Sequence, residues 1–76
     1  MTRFAITHVS PKTNLRTLTF ANQARNFYDS KEEAEQSMRT YKPDLQAKIL
    51  GDAANTLEVR PVECYENGDA KSIYLD

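Results

Sequence analysis

The chain has 76 residues, a hydrophobic fraction of 39%, a charged fraction of 28% and a formal net charge of −1. These values exclude a disordered tail and leave room for one small domain, 1–76, with a core of limited size. No apolar run is long enough to span a bilayer or to form a secretory leader, so no membrane association is predicted.

Cys64 is the one cysteine. It rules out an internal disulfide, and small secreted domains usually carry several, so the reading is a reducing, cytoplasmic setting. A core this small leaves stability marginal, and self-association is the expected supplement. Charge is unevenly spread. Residues 1–28 hold Arg3, Lys12, Arg16 and Arg25 and no carboxylate, whereas residues 29–76 hold six basic and eleven acidic side chains. The imbalance fits a polar binding surface or electrostatic self-association, and it fits equally two halves that neutralise each other across the fold.

In chain order, residues 3–9 are rich in β-branched and aromatic side chains and read as a strand. Pro11 and Asn14 mark a turn, since proline fixes φ and Asn tolerates a left-handed backbone. Residues 15–20 form a second strand, paired with the first as a hairpin. Residues 21–28 read as a loop. Ser30 and Glu33 then have the spacing of a capping box, followed by an apolar stripe at Ala34, Met38 and Tyr41. Pro43 predicts a break, so the helical segment is expected in two pieces, about 30–41 and 43–50. Residues 56–65 make a third strand, in which the apolar phase slips at Pro61. A β-bulge at Arg60 and Pro61 would keep Leu57, Val59, Val62 and Cys64 on one face. Asn67 and Gly68 signal a tight hairpin turn with positive φ at both positions, leading into a fourth strand at 71–75.

The expected fold is therefore α+β, in β-β-α-β-β order: a four-stranded antiparallel sheet with one broken, kinked helical segment packed on one face. Phe4, Ile6, Tyr41, Ile49, Ile73 and Leu75 belong to the expected core, with Cys64 and the helical stripe. Thr7, Thr17, Thr19, Glu58, Glu63 and Tyr74 would line an opposite face, polar and wet or free to dock a partner.

The sequence offers little for catalysis. His8 reads as a rim residue and Cys64 as a small core residue, and together they are too few for a zinc site. Glu32, Glu33 and Glu35 are explained by helix capping, and Glu58 and Glu63 by a solvated strand face. Gly51 and Gly68 have cap or turn roles, so no phosphate-binding loop is formed. No catalytic residue, cofactor or metal is expected. The remaining constellation is Asn22, Arg25, Asn26, Phe27 and Tyr28, extended by the hairpin residues Lys12 and Arg16. Amides, a guanidinium and aromatics are the inventory of interfaces. An alternative for the same segment is a loop that tucks Phe27 beneath the helix start.

The layout, with its capped acidic helix and Asn-Gly turn, resembles that of many small bacterial and phage-encoded proteins. The likeness is one of layout and transfers no functional residue. The expected function is a cytoplasmic, non-catalytic interaction domain that binds a protein partner or itself, through residues 22–28 or an exposed sheet edge. An alternative is a nucleic-acid-binding accessory protein that lays its basic N-terminal hairpin on phosphates, although the pI of about 5.8 is low for that class. A minimal carboxylate enzyme ranks last.

Overall fold

The computed structural model describes residues 1–75. It is an α+β domain. β1 (Thr2–Val9), β2 (Arg16–Leu18) and β3 (Glu58–Glu63) form an open antiparallel sheet in the order β2-β1-β3. One long helix, α1 (Lys31–Leu45), lies over β1 and β3.

The first hairpin follows from its turn residues. Ser10 N–H donates to Leu15 O at 2.9 Å, and Asn14 N–H donates to Ser10 O at 2.8 Å. Asn14 takes φ 59, the left-handed region that its side chain tolerates. The helix begins at the predicted cap, of which the Ser30 half forms. Ser30 is extended, and its hydroxyl accepts from Glu33 N–H at 3.2 Å.

The helix does not break at Pro43. It runs through to Leu45 and continues as a π turn, Gln46–Leu50, and a 3-10 turn, Gly51–Thr56. Pro43 is exposed, so the Arg39 carbonyl that loses its donor can turn to water. Beyond it, Gln46 N–H is shared between Lys42 O and Pro43 O. The reversal comes at Gly51, where φ is 55.

The expected bulge is also absent. β3 pairs with β1 in unbroken register, from Thr2 opposite Glu63 to Thr7 opposite Glu58. Val59 and Val62 therefore point to opposite faces, yet both are buried. The phase slip is resolved because the sheet is covered on both sides. Ile6 and Val59 share one face, and Ala34, Leu45 and Ala54 are the buried residues of the helical segment that covers it. The other face was expected to be wet. Instead it carries Ala5, Thr7 and Val62, and Thr7 is 0% exposed. Phe27, Cys64 and Ala70 pack there, with Leu18 and Leu75 against them.

The sheet has three strands in place of the expected four. The turn after β3 does form: Gly68 N–H donates to Tyr65 O at 2.9 Å, and Tyr65 N–H to Asp69 O at 2.8 Å. It is not the expected turn with two left-handed residues. Gly68 alone has positive φ, 95, in the pattern of a four-residue turn closed by a glycine bulge. Cys64 and Ala70 then form a single bridge, after which the chain leaves β3. It crosses the sheet face and meets the far edge, where Tyr74 bridges Thr17 of β2. The returning segment is a strap and not a strand beside β3. Its apolar residues explain the choice, because Leu75 reaches the Leu18 side of the core only by crossing. Ile73, Tyr41 and Ile49, expected in the core, are exposed, Ile49 at 75%.

Candidate interaction surface

The expected binding constellation is largely consumed by the fold. Asn22 acts as a strand partner through its side chain: Nδ2 donates to Ala70 O at 3.0 Å, and Ala70 N–H donates to Oδ1 at 2.7 Å. Asn26 Nδ2 donates to Ala21 O at 2.7 Å. Phe27 is in the core, and Tyr28 exchanges both backbone hydrogen bonds with Phe4. Arg3 fastens the segment from below, donating to Ala24 O at 2.9 Å and Phe27 O at 3.0 Å, with Asp29 at 3.3 Å. Arg25 remains exposed.

Arg16 is buried, at 8% exposure. Its Nη1 donates to Thr7 Oγ1 at 3.1 Å and to Thr56 O at 2.9 Å, and its Nη2 pairs with Glu58 at 3.5 Å. Thr7 Oγ1 in turn donates to Glu58 O at 2.6 Å. The other Glu58 oxygen lies 3.1 Å from the buried Arg60 Nε, an ion pair whose alignment falls short of a hydrogen bond. Burying a charge requires such partners, so Arg16 is held as a structural residue.

Lys12 sits on the exposed hairpin turn beyond Val9. Arg25 belongs to the segment that borders Phe4, five strand positions away, or roughly 16 Å at 3.3 Å per residue. The two free cations of the N-terminal segment thus stand apart. The imidazole and thiol are separated too. His8 and the Met1 that meets Cys64 lie at opposite ends of β1, roughly 23 Å apart along the strand. His8 Nδ1 is 2.9 Å from Thr19 Oγ1, and burial, then the Arg16 charge, lowers its pKa from 6.5. Among the described residues no group of three or more His, Cys, Asp or Glu could hold a metal ion.

Both sheet edges carry guards. Phe4 turns its backbone groups to Tyr28, away from β3, so the opposed Pro61 presents its backbone outward. Proline has no N–H to offer an incoming strand. At the other edge, Tyr74 N–H donates to Ser72 Oγ at 3.2 Å, and Ser72 Oγ–H donates to Tyr74 O at 2.8 Å. A single hydroxyl closes both outward groups of that residue.

What stays open is apolar. Leu15, Ile73 and Tyr74 are 40%, 44% and 46% exposed, and all three lie at the outer edge of β2. Tyr74 faces Thr17 across the bridge, and Leu15, two residues before Thr17, lies on that side. The sequence had placed Ile73 in the core and Tyr74 on a polar face. The signal that could have found them is that 73–75 is apolar on both sides of an extended segment, so one side must face out unless a partner covers it. A second open feature is a cleft of about 450 Å³ lined by Met1, Cys64, Tyr65, Glu66 and Lys71, where Lys71 Nζ stands 5.8 Å from the Tyr65 ring centroid.

No family model matches the chain, and no curated protein or solved structure matches it. The class defined by its own geometry is a two-sided α+β domain, with a helix on one face, a strap on the other and an apolar edge at β2.

Proposed function

We propose that this chain is a non-catalytic interaction domain of the cytoplasm that associates with a protein partner or with itself through the outer edge of β2. One observation carries the reading: Leu15 and Tyr74, 40% and 46% exposed, lie on the same side of the β2 edge, and Ile73, 44% exposed, borders that edge on the other side. Large apolar side chains that cluster on a surface mark association sites, whereas scattered ones need no explanation. Tyrosine is also a common anchor of such sites. The burial of Cys64 fits a compartment that keeps thiols reduced. The nucleic-acid reading draws less support, because Arg16 is buried and Arg3 is tied to carbonyls, leaving Lys12 and Arg25 well separated.

The test compares the native chain with a Leu15→Ser, Ile73→Ser, Tyr74→Ser variant by sedimentation and by affinity capture. The expected result is an associated species that the triple variant loses while keeping its circular dichroism spectrum. A variant that associates as the native chain does would overturn the reading.

A further inference from the structure

We propose that Asn67 is a self-modification site: an asparagine that converts spontaneously to aspartate and isoaspartate through a cyclic imide formed with Gly68, and that is held closed while the turn is seated on residues 24–27. The site is independent of the β2 edge and of any partner there.

The chemistry starts from the residue that follows. Asn14, Asn22, Asn26 and Asn55 precede Leu15, Gln23, Phe27 and Thr56, whose side chains crowd the backbone nitrogen. Asn67 precedes a glycine, whose nitrogen is unhindered and whose backbone is the freest to bend toward a neighbouring side chain. Hydroxide from solvent removes the Gly68 N–H proton, and the nitrogen attacks Asn67 Cγ. The bond from Gly68 N to Cγ forms, the bond from Cγ to Nδ2 breaks, and Nδ2 takes a proton from water and leaves as ammonia. Water then opens the imide. Cleavage at Cγ leaves an aspartate on the ordinary main chain. Cleavage at the main-chain carbonyl leaves isoaspartate, with the chain routed through Cγ and lengthened by a methylene. The net change is amide plus water to acid plus ammonia, with nothing oxidised or reduced. Asp69 favours the attack from both sides of the amide. Its N–H donates to Asn67 Oδ1 at 3.0 Å, where negative charge develops. Its carboxylate lies 3.4 Å from Nδ2, the group that departs.

What the seated turn withholds is the nucleophile. Asn67 is exposed, but Gly68 is buried and gives its N–H to Tyr65 O at 2.9 Å. Gly68 also lies so close to Ala24 that even a methyl group would not fit between them. Hydroxide reaches the Gly68 N–H when the turn lifts from residues 24–27. Two residues on, the Asn22 amide clasps Ala70 at 3.0 and 2.7 Å and so holds the turn down. The rate of conversion is then the open fraction of the turn multiplied by the rate in the open chain. Isoaspartate makes a transient opening permanent, because the added methylene carries Gly68 away from Tyr65 O and from its seat on Ala24.

The test incubates the full chain in mildly alkaline buffer, folded and in guanidinium chloride, beside an Asn22→Ala chain. Peptide mass spectrometry follows the mass gain at each asparagine, and isoaspartate-specific methylation identifies the rearranged product. Conversion is expected at Asn67 ahead of the other four asparagines, fast in guanidinium and slow in the folded native chain. Asn22→Ala should convert severalfold faster than the native fold while amide exchange in α1 hardly changes. If Asn67 converts no faster in guanidinium than the other asparagines, the site is refuted. Equal rates in the folded and the denatured native chain refute the gate, as does an Asn22→Ala rate no higher than the native one. A gain in Asn22→Ala matched by an equal gain in α1 exchange is global unfolding, and it also refutes the gate. Should Asn22→Ala fail to fold, the native chain in guanidinium below its unfolding transition decides. Conversion that rises before the helix signal falls supports local opening, and conversion that rises only with loss of the helix overturns it. Finally, isoaspartate-containing chains are expected to exchange the Leu75 amide faster than unconverted ones, and an unchanged rate would overturn the permanent release.

Discussion

The two faces of the sheet are closed by different means. On the Ile6 and Val59 face the cover is the helical segment, α1 with the 3-10 turn that follows it, whose backbone groups are satisfied mostly within the segment and whose contribution is chiefly apolar contact. On the Ala5 and Val62 face the cover is assembled from a short 3-10 turn ending at Phe27 and the strap 70–75, which are far apart in sequence. Backbone bonds satisfy only part of these pieces, and side chains supply further ones: Asn22 to Ala70, Arg3 to Ala24 and Phe27, Thr17 to Ile73. The helix side is held by area and the strap side by polar fasteners. The first should fail through cavities, the second through lost bonds and lost fit.

The sharpest way to break that contrast is Ile6→Ala. Ile6 is 2% exposed, and truncation leaves a cavity under a helix that cannot collapse into it. The expected loss is about 3 kcal/mol, read by chemical denaturation with an unchanged slope. On the strap side the largest effect should come from Gly68→Ala. The residue combines φ 95 with a close approach to Ala24, so an added methyl meets both a strained backbone and the Ala24 Cβ. A loss of about 2 kcal/mol is expected. A neutral result would mean that the turn is not seated on residues 24–27. Asn22→Ala should cost less, about 1.5 kcal/mol, because it removes two partly buried hydrogen bonds while water reaches some of the exposed groups. Hydrogen exchange distinguishes the two sides further. Asn22→Ala should speed exchange of the Leu18 and Leu75 amides with little effect on α1, whereas Ile6→Ala should speed both.

The same contrast explains what could be read from the sequence. The helix was legible because its signals are local: the Ser30 cap and the stripe through Ala34 lie within a few residues of each other, and Asn14 carries its left-handed turn in its own chemistry. Pro43 misled, since an exposed proline in a helix held by packing bends the count of hydrogen bonds without ending the helix. The strap was illegible because its logic is long-range. Phe27 and Ala70 carry no periodicity of their own, and nothing near Asn22 announces that its amide will bind a backbone 48 residues on. Val59 and Val62 looked out of phase only under the assumption that one face was wet. The segment 22–28 was recognised as unusual, but its inventory served internal fastening, and the exposed apolar edge lay instead at Leu15, Ile73 and Tyr74.

The smallest expected effect is a pH dependence that sharpens the comparison from the helix side. His8 shares a face with Ile6 and is held near Thr19, and burial, followed by the charge of Arg16, lowers its pKa from 6.5. The folded state therefore resists protonation more than the unfolded state. Above 6.5 both forms are neutral and the stability from this group is fully present. As pH falls through 6.5 the unfolded chain takes up the proton first, and stability declines until the folded histidine is protonated too. Glu63, whose pKa is lowered from 4.5 chiefly by the Thr2 hydroxyl and then by the N-terminal charge, acts in a separate window. Its share is present above 4.5 and is lost as pH falls through the depressed folded value. Two declines are expected in denaturation midpoints measured from pH 8 to pH 3. His8→Asn should flatten the upper one and leave the lower intact, and Thr2→Val should do the reverse. An upper decline that survives His8→Asn would place its origin outside the imidazole, and the burial assigned to that rim of the helix-covered face would be wrong.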